Sequence, residues 1–115
     1  MKRNDIVFIK CNAVANGSVQ CFDRPAVIIQ NNTGNKHAPT LIVAYLTSQI
    51  KRTDMPTHVV INGYKGLYTE SMIMAEQLAT VSKKDVMAVM DHLRYEDAAK
   101  LDAALIASLA LREVG

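Results

Sequence analysis

The side chains of this sequence that could do chemistry are scattered. His37, His58 and His92 stand apart, no HxxxH pair occurs, and Cys11 and Cys21 form no CxxC, so the ligand spacing of a zinc site is missing. There is no GxxxxGK[ST], GxGxxG or GxSxG, which removes the signatures of nucleotide hydrolysis, dinucleotide redox chemistry and ordinary serine hydrolysis. No metal and no cofactor is expected. Both thiols read as reduced packing residues. What remains is charge: residues 1–65 carry eight Lys/Arg against three Asp/Glu, and residues 66–115 carry five against eight. A basic front suits a domain that meets a polyanion with that part of its surface; uneven solvated charge accounts for the count equally well.

The elements that must position any site read from the period of the apolar residues. Short β-branched runs at Ile6–Ile9, Ala26–Gln30, Leu41–Leu46, Val59–Ile61 and Met72–Met74 predict strands, with residues 12–23, 31–38 and 48–55 as loops and Asn62-Gly63 as a tight turn. Val86, Val89, Met90 and Leu93 then recur at helical spacing, and Ser82 with Asp85 resembles a capping box, so a first helix is expected there. Met87 and Met90 read as core or interface filler. A second helix is expected over Glu96–Leu111, with an apolar stripe of Ala98, Leu101, Leu105 and Leu109. The 115-residue, 12.7 kDa chain is half hydrophobic, enough for one domain spanning residues 1–115. Its charged N-terminus precedes only a short apolar run, which predicts a cytoplasmic protein with no membrane segment. The fold class is α+β: a small curved sheet or barrel closed by C-terminal helices.

The blocks Arg24-Pro25-Ala26-Val27-Ile28-Ile29-Gln30-Asn31, Gly34-Asn35, Pro39-Thr40 and Ile42-Val43-Ala44 resemble the RPxVIIQN…GN…PTxIVA stretch of MazF/PemK toxins. Leu46-Thr47-Ser48-Gln49-Ile50, Pro56-Thr57-His58-Val59 and Glu76-Gln77 continue the likeness, as does the tail Leu105 to Leu111. Blocks in order and at matching spacing from about Asp5 to Leu111 are not produced by chance agreement with one short motif. The resemblance implies an SH3-like barrel shared with CcdB-type gyrase poisons, a homodimer, a cognate MazE-like antitoxin, and an mRNA interferase: a sequence-specific, metal-independent endoribonuclease acting on single-stranded RNA.

It also implies Arg24 and Thr47 as the catalytic pair. RNA can be cut by attack of its own 2′-hydroxyl, provided the protein assists deprotonation, stabilises the crowded phosphorane and helps the 5′-oxygen leave. A guanidinium suits the second task, because its planar donors match phosphate oxygens and its charge persists. Arg24 is therefore expected to stabilise the phosphorane and to donate a proton to the leaving oxygen; a base role would need its pKa, normally above about 12, to fall far. Thr47 would orient a phosphate oxygen. Taken alone, Arg24 also reads as a strand-edge arginine paired with Asp23, and Thr47 as a β-branched strand residue. RNA-binding candidates implied by the likeness are Ser18, Gln20, Ser48, Gln49, His58 and Gln77. The sequence departs from the family at Val19, Cys21 and Phe22, which replace a carboxylate and two glycines, and at Ala79, which replaces an arginine; these departures bear on which RNA is recognised. Phe22 is expected to fold back onto the barrel, with stacking on a base as the alternative. The competing function is a non-catalytic binder on the same fold, either a CcdB-like gyrase poison or an inactive antitoxin-binding homologue.

Overall fold

The computed structural model describes residues 1–11 and 22–111. The expected strands at Ile6, Ala26, Leu41, Val59 and Met72 all form, as β1 (Asp5–Ile9), β2 (Arg24–Ile28), β3 (Thr40–Thr47), β4 (His58–Ile61) and β5 (Ser71–Ser82). The sixth strand, β6 (Val86–His92), lies where a helix was expected. All pairings are antiparallel, in the order β4-β5-β3-β2-β1-β6. The sheet is curved but not closed, since β4 and β6 remain at opposite edges.

The misreading of β6 has a physical cause. Its register with β1 steps twice, Ile6 facing Asp91 but Val7 facing Val89, and Phe8 facing Ala88 but Ile9 facing Val86. Each step inserts one extra residue, Met90 and then Met87, as a β-bulge. Bulges break strict alternation, so the apolar residues Val86, which packs on one hydrophobic cluster, and Met90 and Leu93, which pack on the other, fall at spacings of a helix rather than of a regular strand. Met90 packs against the core, whereas Met87 and Val89 are exposed. Ser82 does cap, but a short 3-10 turn, Lys83–Asp85, through its hydroxyl accepting from the Lys84 N–H.

There is one C-terminal helix rather than two. A short helix α1 (Asn32–His37) sits in a segment read as loop, and α2 (Tyr95–Leu109) is the C-terminal one. Glu96 and Asp97 occupy the first turn of α2, where carboxylates complement the helix dipole, and Ala110 closes it in the left-handed region at φ 54°. Its buried face is Asp97, Leu101, Ala104 and Leu105; Leu109 is exposed. Leu101, Ala104 and Leu105 meet Ile6, Val27, Ala44, Leu46, Val59, Ile61 and Ile73 in the larger core. Each such aliphatic side chain stabilises by about 1.5–3 kcal/mol on burial. A second cluster of Val7, Ile9, Ala26, Ile28, Leu41 and Val43 fills the opposite concavity. Cys11, expected as a reduced thiol, is disulfide-bonded; Cys21 lies outside the described residues.

Candidate active site

Arg24 and Thr47 are brought together by strand pairing. Arg24 opens β2 opposite Ile9 of β1, and Thr47 ends β3 opposite Met72 of β5. β2 and β3 are neighbours, held in register by Ala26 facing Tyr45 and Val27 facing Ala44. The turn between them is fixed by the QN…GN part of the same sequence block. Asn31 caps α1 by accepting from the Gly34 N–H, the Gln30 amide donates to the Thr40 carbonyl, and buried Asn35 donates to the Gln30 carbonyl. Much of the block that carries the family resemblance is thus scaffold for the two side chains at its ends.

The half-buried Arg24 guanidinium lies 4.4 Å from the centre of the Tyr45 ring, and its Nη2 donates to the Leu46 carbonyl at 3.5 Å. The ring face and the carbonyl orient the charge without neutralising it. Asp23, the expected ion-pair partner, is otherwise occupied, accepting from the Cys11 N–H at 2.8 Å. Among the described residues no carboxylate forms an ion pair with Arg24. The Thr47 Oγ1 accepts from the Gln49 N–H at 3.1 Å. That turn fixes the oxygen and leaves the hydroxyl proton free to be donated outward.

Both residues line one open pocket of about 430 Å³, with Phe8, Ser48, Leu67, Tyr68, Thr69 and Ser71 among its walls. A guanidinium, a hydroxyl donor and several loop hydroxyls around a concavity of this size have the chemistry and room to accept a phosphate and part of an adjoining nucleoside.

Of the binding candidates, Ser48 lines this pocket and exposed Gln49 follows it. Gln77 is exposed on the irregular stretch of β5, where Ile73 faces Leu46 but Leu78 already faces Ala44. Ser18, Gln20 and Val19 lie outside the described residues. Phe22 is 71% exposed, so it does not fold onto the sheet as expected. His58 lines a different pocket, with Thr53, Pro56, Lys100 and Ala104. Its Nδ1 lies 2.8 Å from the Arg52 carbonyl and its Nε2 2.8 Å from the Glu76 carboxylate. Two acceptors facing two ring nitrogens call for the doubly protonated imidazolium. Burial works against that charge, but the Arg52 carbonyl and Glu76 outweigh it and lift the His58 pKa above its ordinary value. Burial likewise pushes the Glu76 carboxyl up, and Thr57 and His58 more than reverse it, leaving Glu76 below the usual range.

Sequence reasoning missed the loop between β4 and β5. It supplies Gly66, Leu67, Tyr68 and Thr69 to the pocket. The available signal was a Tyr flanked by Gly66, Thr69 and Glu70, with no apolar residue two positions away on either side as a buried strand would show. Among the described residues no three of His, Cys, Asp and Glu gather as metal ligands, and no helix is long and apolar enough to cross a membrane.

Comparison with known proteins places the chain among relatives of sequence and of fold. Endoribonuclease EndoA of Bacillus subtilis (strain 168) is 41% identical over 112 residues, covering 96% of each chain. Among solved structures, a mycobacterial endoribonuclease in complex with its cognate antitoxin superposes with a TM-score of 0.79 at 20% identity, covering 98% of both chains. A MazE–MazF complex of Deinococcus radiodurans gives 0.77 at 15% identity and 96% coverage of both. The sequence pattern of the PemK-like, MazF-like toxins of type II toxin-antitoxin systems matches residues 2–109, so the chain belongs to that family.

Proposed function

We propose that the protein is an endoribonuclease that cuts single-stranded mRNA at a short sequence, without a metal ion, by attack of the substrate's own 2′-hydroxyl. The products are a 2′,3′-cyclic phosphate and a 5′-hydroxyl. The observation that carries this reading is one pocket shared by an Arg24 guanidinium with no carboxylate partner among the described residues and a Thr47 hydroxyl with its proton to spare. Solvent takes the 2′-hydroxyl proton as the oxygen attacks; Arg24 holds the non-bridging oxygens as charge builds on the phosphorane, donates a proton to the departing 5′-oxygen and regains one from solvent. Thr47 orients one of those oxygens. Ser48 and Gln49 follow on the same loop as the next contacts of the strand.

A cognate antitoxin restrains the enzyme by covering this basic surface; the structurally similar mycobacterial endoribonuclease is seen in complex with its cognate antitoxin. Two copies pair as a homodimer; β6, outermost in the sheet and exposing Met87 and Val89, offers the unpaired edge and apolar side chains such pairing takes. Cytoplasmic mRNA is the substrate pool.

The test is cleavage of a long mixed-sequence RNA in the presence of chelator, with the cut sites mapped. Arg24→Ala and Thr47→Ala are each expected to lower the rate by about two orders of magnitude or more. Replacing the scissile 2′-hydroxyl with hydrogen should abolish cutting. Continued cutting of that deoxy substrate would overturn the mechanism, and loss of cutting with chelator would overturn metal independence.

A further inference from the structure

Tyr68 is 99% exposed, the most exposed of the large apolar side chains among the described residues. A wholly solvated aromatic contributes nothing to the core, and the loop that presents it is anything but loose. Tyr64 is buried, its hydroxyl donating to Asp97 and accepting from the Arg94 N–H at 2.9 Å, with the Arg94 guanidinium 4.1 Å over its ring. Asp91 accepts from the Lys65 N–H at 2.9 Å, and the Leu67 N–H donates to the Tyr64 carbonyl at 3.2 Å. Gly66, at φ +83°, lies so close to Met90 that an added Cβ would come within 2.2 Å of its sulfur. Leu67 packs against the core, and the Ser71 hydroxyl donates to the Thr69 carbonyl at 3.2 Å. The backbone on both sides of Tyr68 is held while its ring stands in water at the wall of the pocket that contains Arg24 and Thr47.

We propose that Tyr68 is a stacking platform for the base next to the phosphate held by Arg24, and so a positioning and specificity-determining residue of the cleavage reaction. This rests on the endoribonuclease reading above. A single strand entering the pocket presents a phosphate to the guanidinium and must place its flanking bases somewhere. An aromatic face projecting from a rigid loop accepts one of them at little entropic cost, since the ring is already displayed. Stacking of this kind is worth enough that removing the ring weakens binding about tenfold.

The test combines a protein variant with a base deletion. With an oligonucleotide holding one mapped cut site, Tyr68→Ala should raise KM about tenfold, change kcat less than about twofold and leave the urea midpoint unchanged, while Tyr68→Phe restores KM. An abasic sugar on one side of the scissile phosphate should cost the wild type a similar factor and cost Tyr68→Ala almost nothing more, because ring and base belong to one interaction. The chain contains no Trp, so Tyr68→Trp adds a lone reporter. Its fluorescence should be quenched by the uncleavable 2′-deoxy substrate, and less by the abasic form. Additive penalties at every flanking position, an unchanged KM, or an unchanged KM with weakened antitoxin binding would each overturn the assignment while leaving the activity intact. A wild type that cuts no RNA would overturn the activity itself.

Discussion

At the residue scale the informative side chains are those whose hydrogen-bonding capacity is either exhausted or left over. His58 is exhausted: both ring nitrogens face acceptors, and its side chain is only 9% exposed. It ties the Arg52 carbonyl, in the loop that follows the Thr47–Gln49 turn, to Glu76 on β5. Because the folded state raises the His58 pKa, the imidazolium stabilises fully below the ordinary value of 6.5 and the effect is lost as pH rises through the higher folded value. The urea midpoint of the wild type should therefore fall over that upper range, and His58→Ala should remove this part of the slope while costing about 1–3 kcal/mol below it. Arg24 is the opposite case, a charge oriented by a ring and a carbonyl with no carboxylate opposite it among the described residues. Arg24→Lys should keep folding and lose most of the cleavage rate, because an ammonium cannot offer two parallel donors to a phosphate; single-turnover rates on the mapped RNA will measure the loss. Neither role was readable from residue type. Arg24 and Thr47 stood out only through the blocks around them, and the commitment of His58 to Arg52 and Glu76 depends on a loop returning to a strand eighteen positions along.

At the scale of elements, the strands that follow simple alternation were legible and those that bend were not. β1 to β4 announce themselves because their β-branched runs are short and bounded by turn residues. β6 carries two bulges, and its apolar residues imitate a helix. Only the first part of β5 was visible, since its second half is half-exposed and mixes Leu78, Ala79 and Thr80 without clean alternation. α1 is hidden by its Asn- and Gly-rich sequence and survives through the Asn31 cap and the hydrogen bonds of Asn35. α2 was legible from composition, but its attachment was not: Tyr64 reaches from the β4–β5 loop to the buried carboxylate of Asp97 in its first turn. Tyr64→Phe removes the hydroxyl donor and leaves that carboxylate only the 3.5 Å ion pair with Arg94, which should cost about 1–3 kcal/mol, measured as a lower urea midpoint with unchanged denaturant slope. The pocket loop is fastened by the same contact, so the variant should also weaken RNA binding more than it slows the chemical step.

For the whole molecule, the arrangement is a curved six-stranded sheet with one helix packed on its larger core, and the candidate site sits at the ends of its two central strands. Adjacent β2 and β3 hold Arg24 and Thr47 at fixed spacing, while the β4–β5 loop supplies the remaining wall. The basic front inferred from charge counts includes Arg24, but Arg3 is engaged with Asp102 and Arg52 with Asp54, so net charge alone did not mark the candidate pocket. The order of the sheet also has a consequence in time. β1, made first, is closed on its outer side by β6, made nearly last, and α2 then adds Leu101, Ala104 and Leu105 to the core. Pairing between segments so far apart in sequence forms late, so a chain still growing on the ribosome is expected to have all the residues of the candidate pocket before it has a fold to hold them. Chains stalled at residue 94 should be inert and protease-sensitive, and chains released after Leu111 active and resistant.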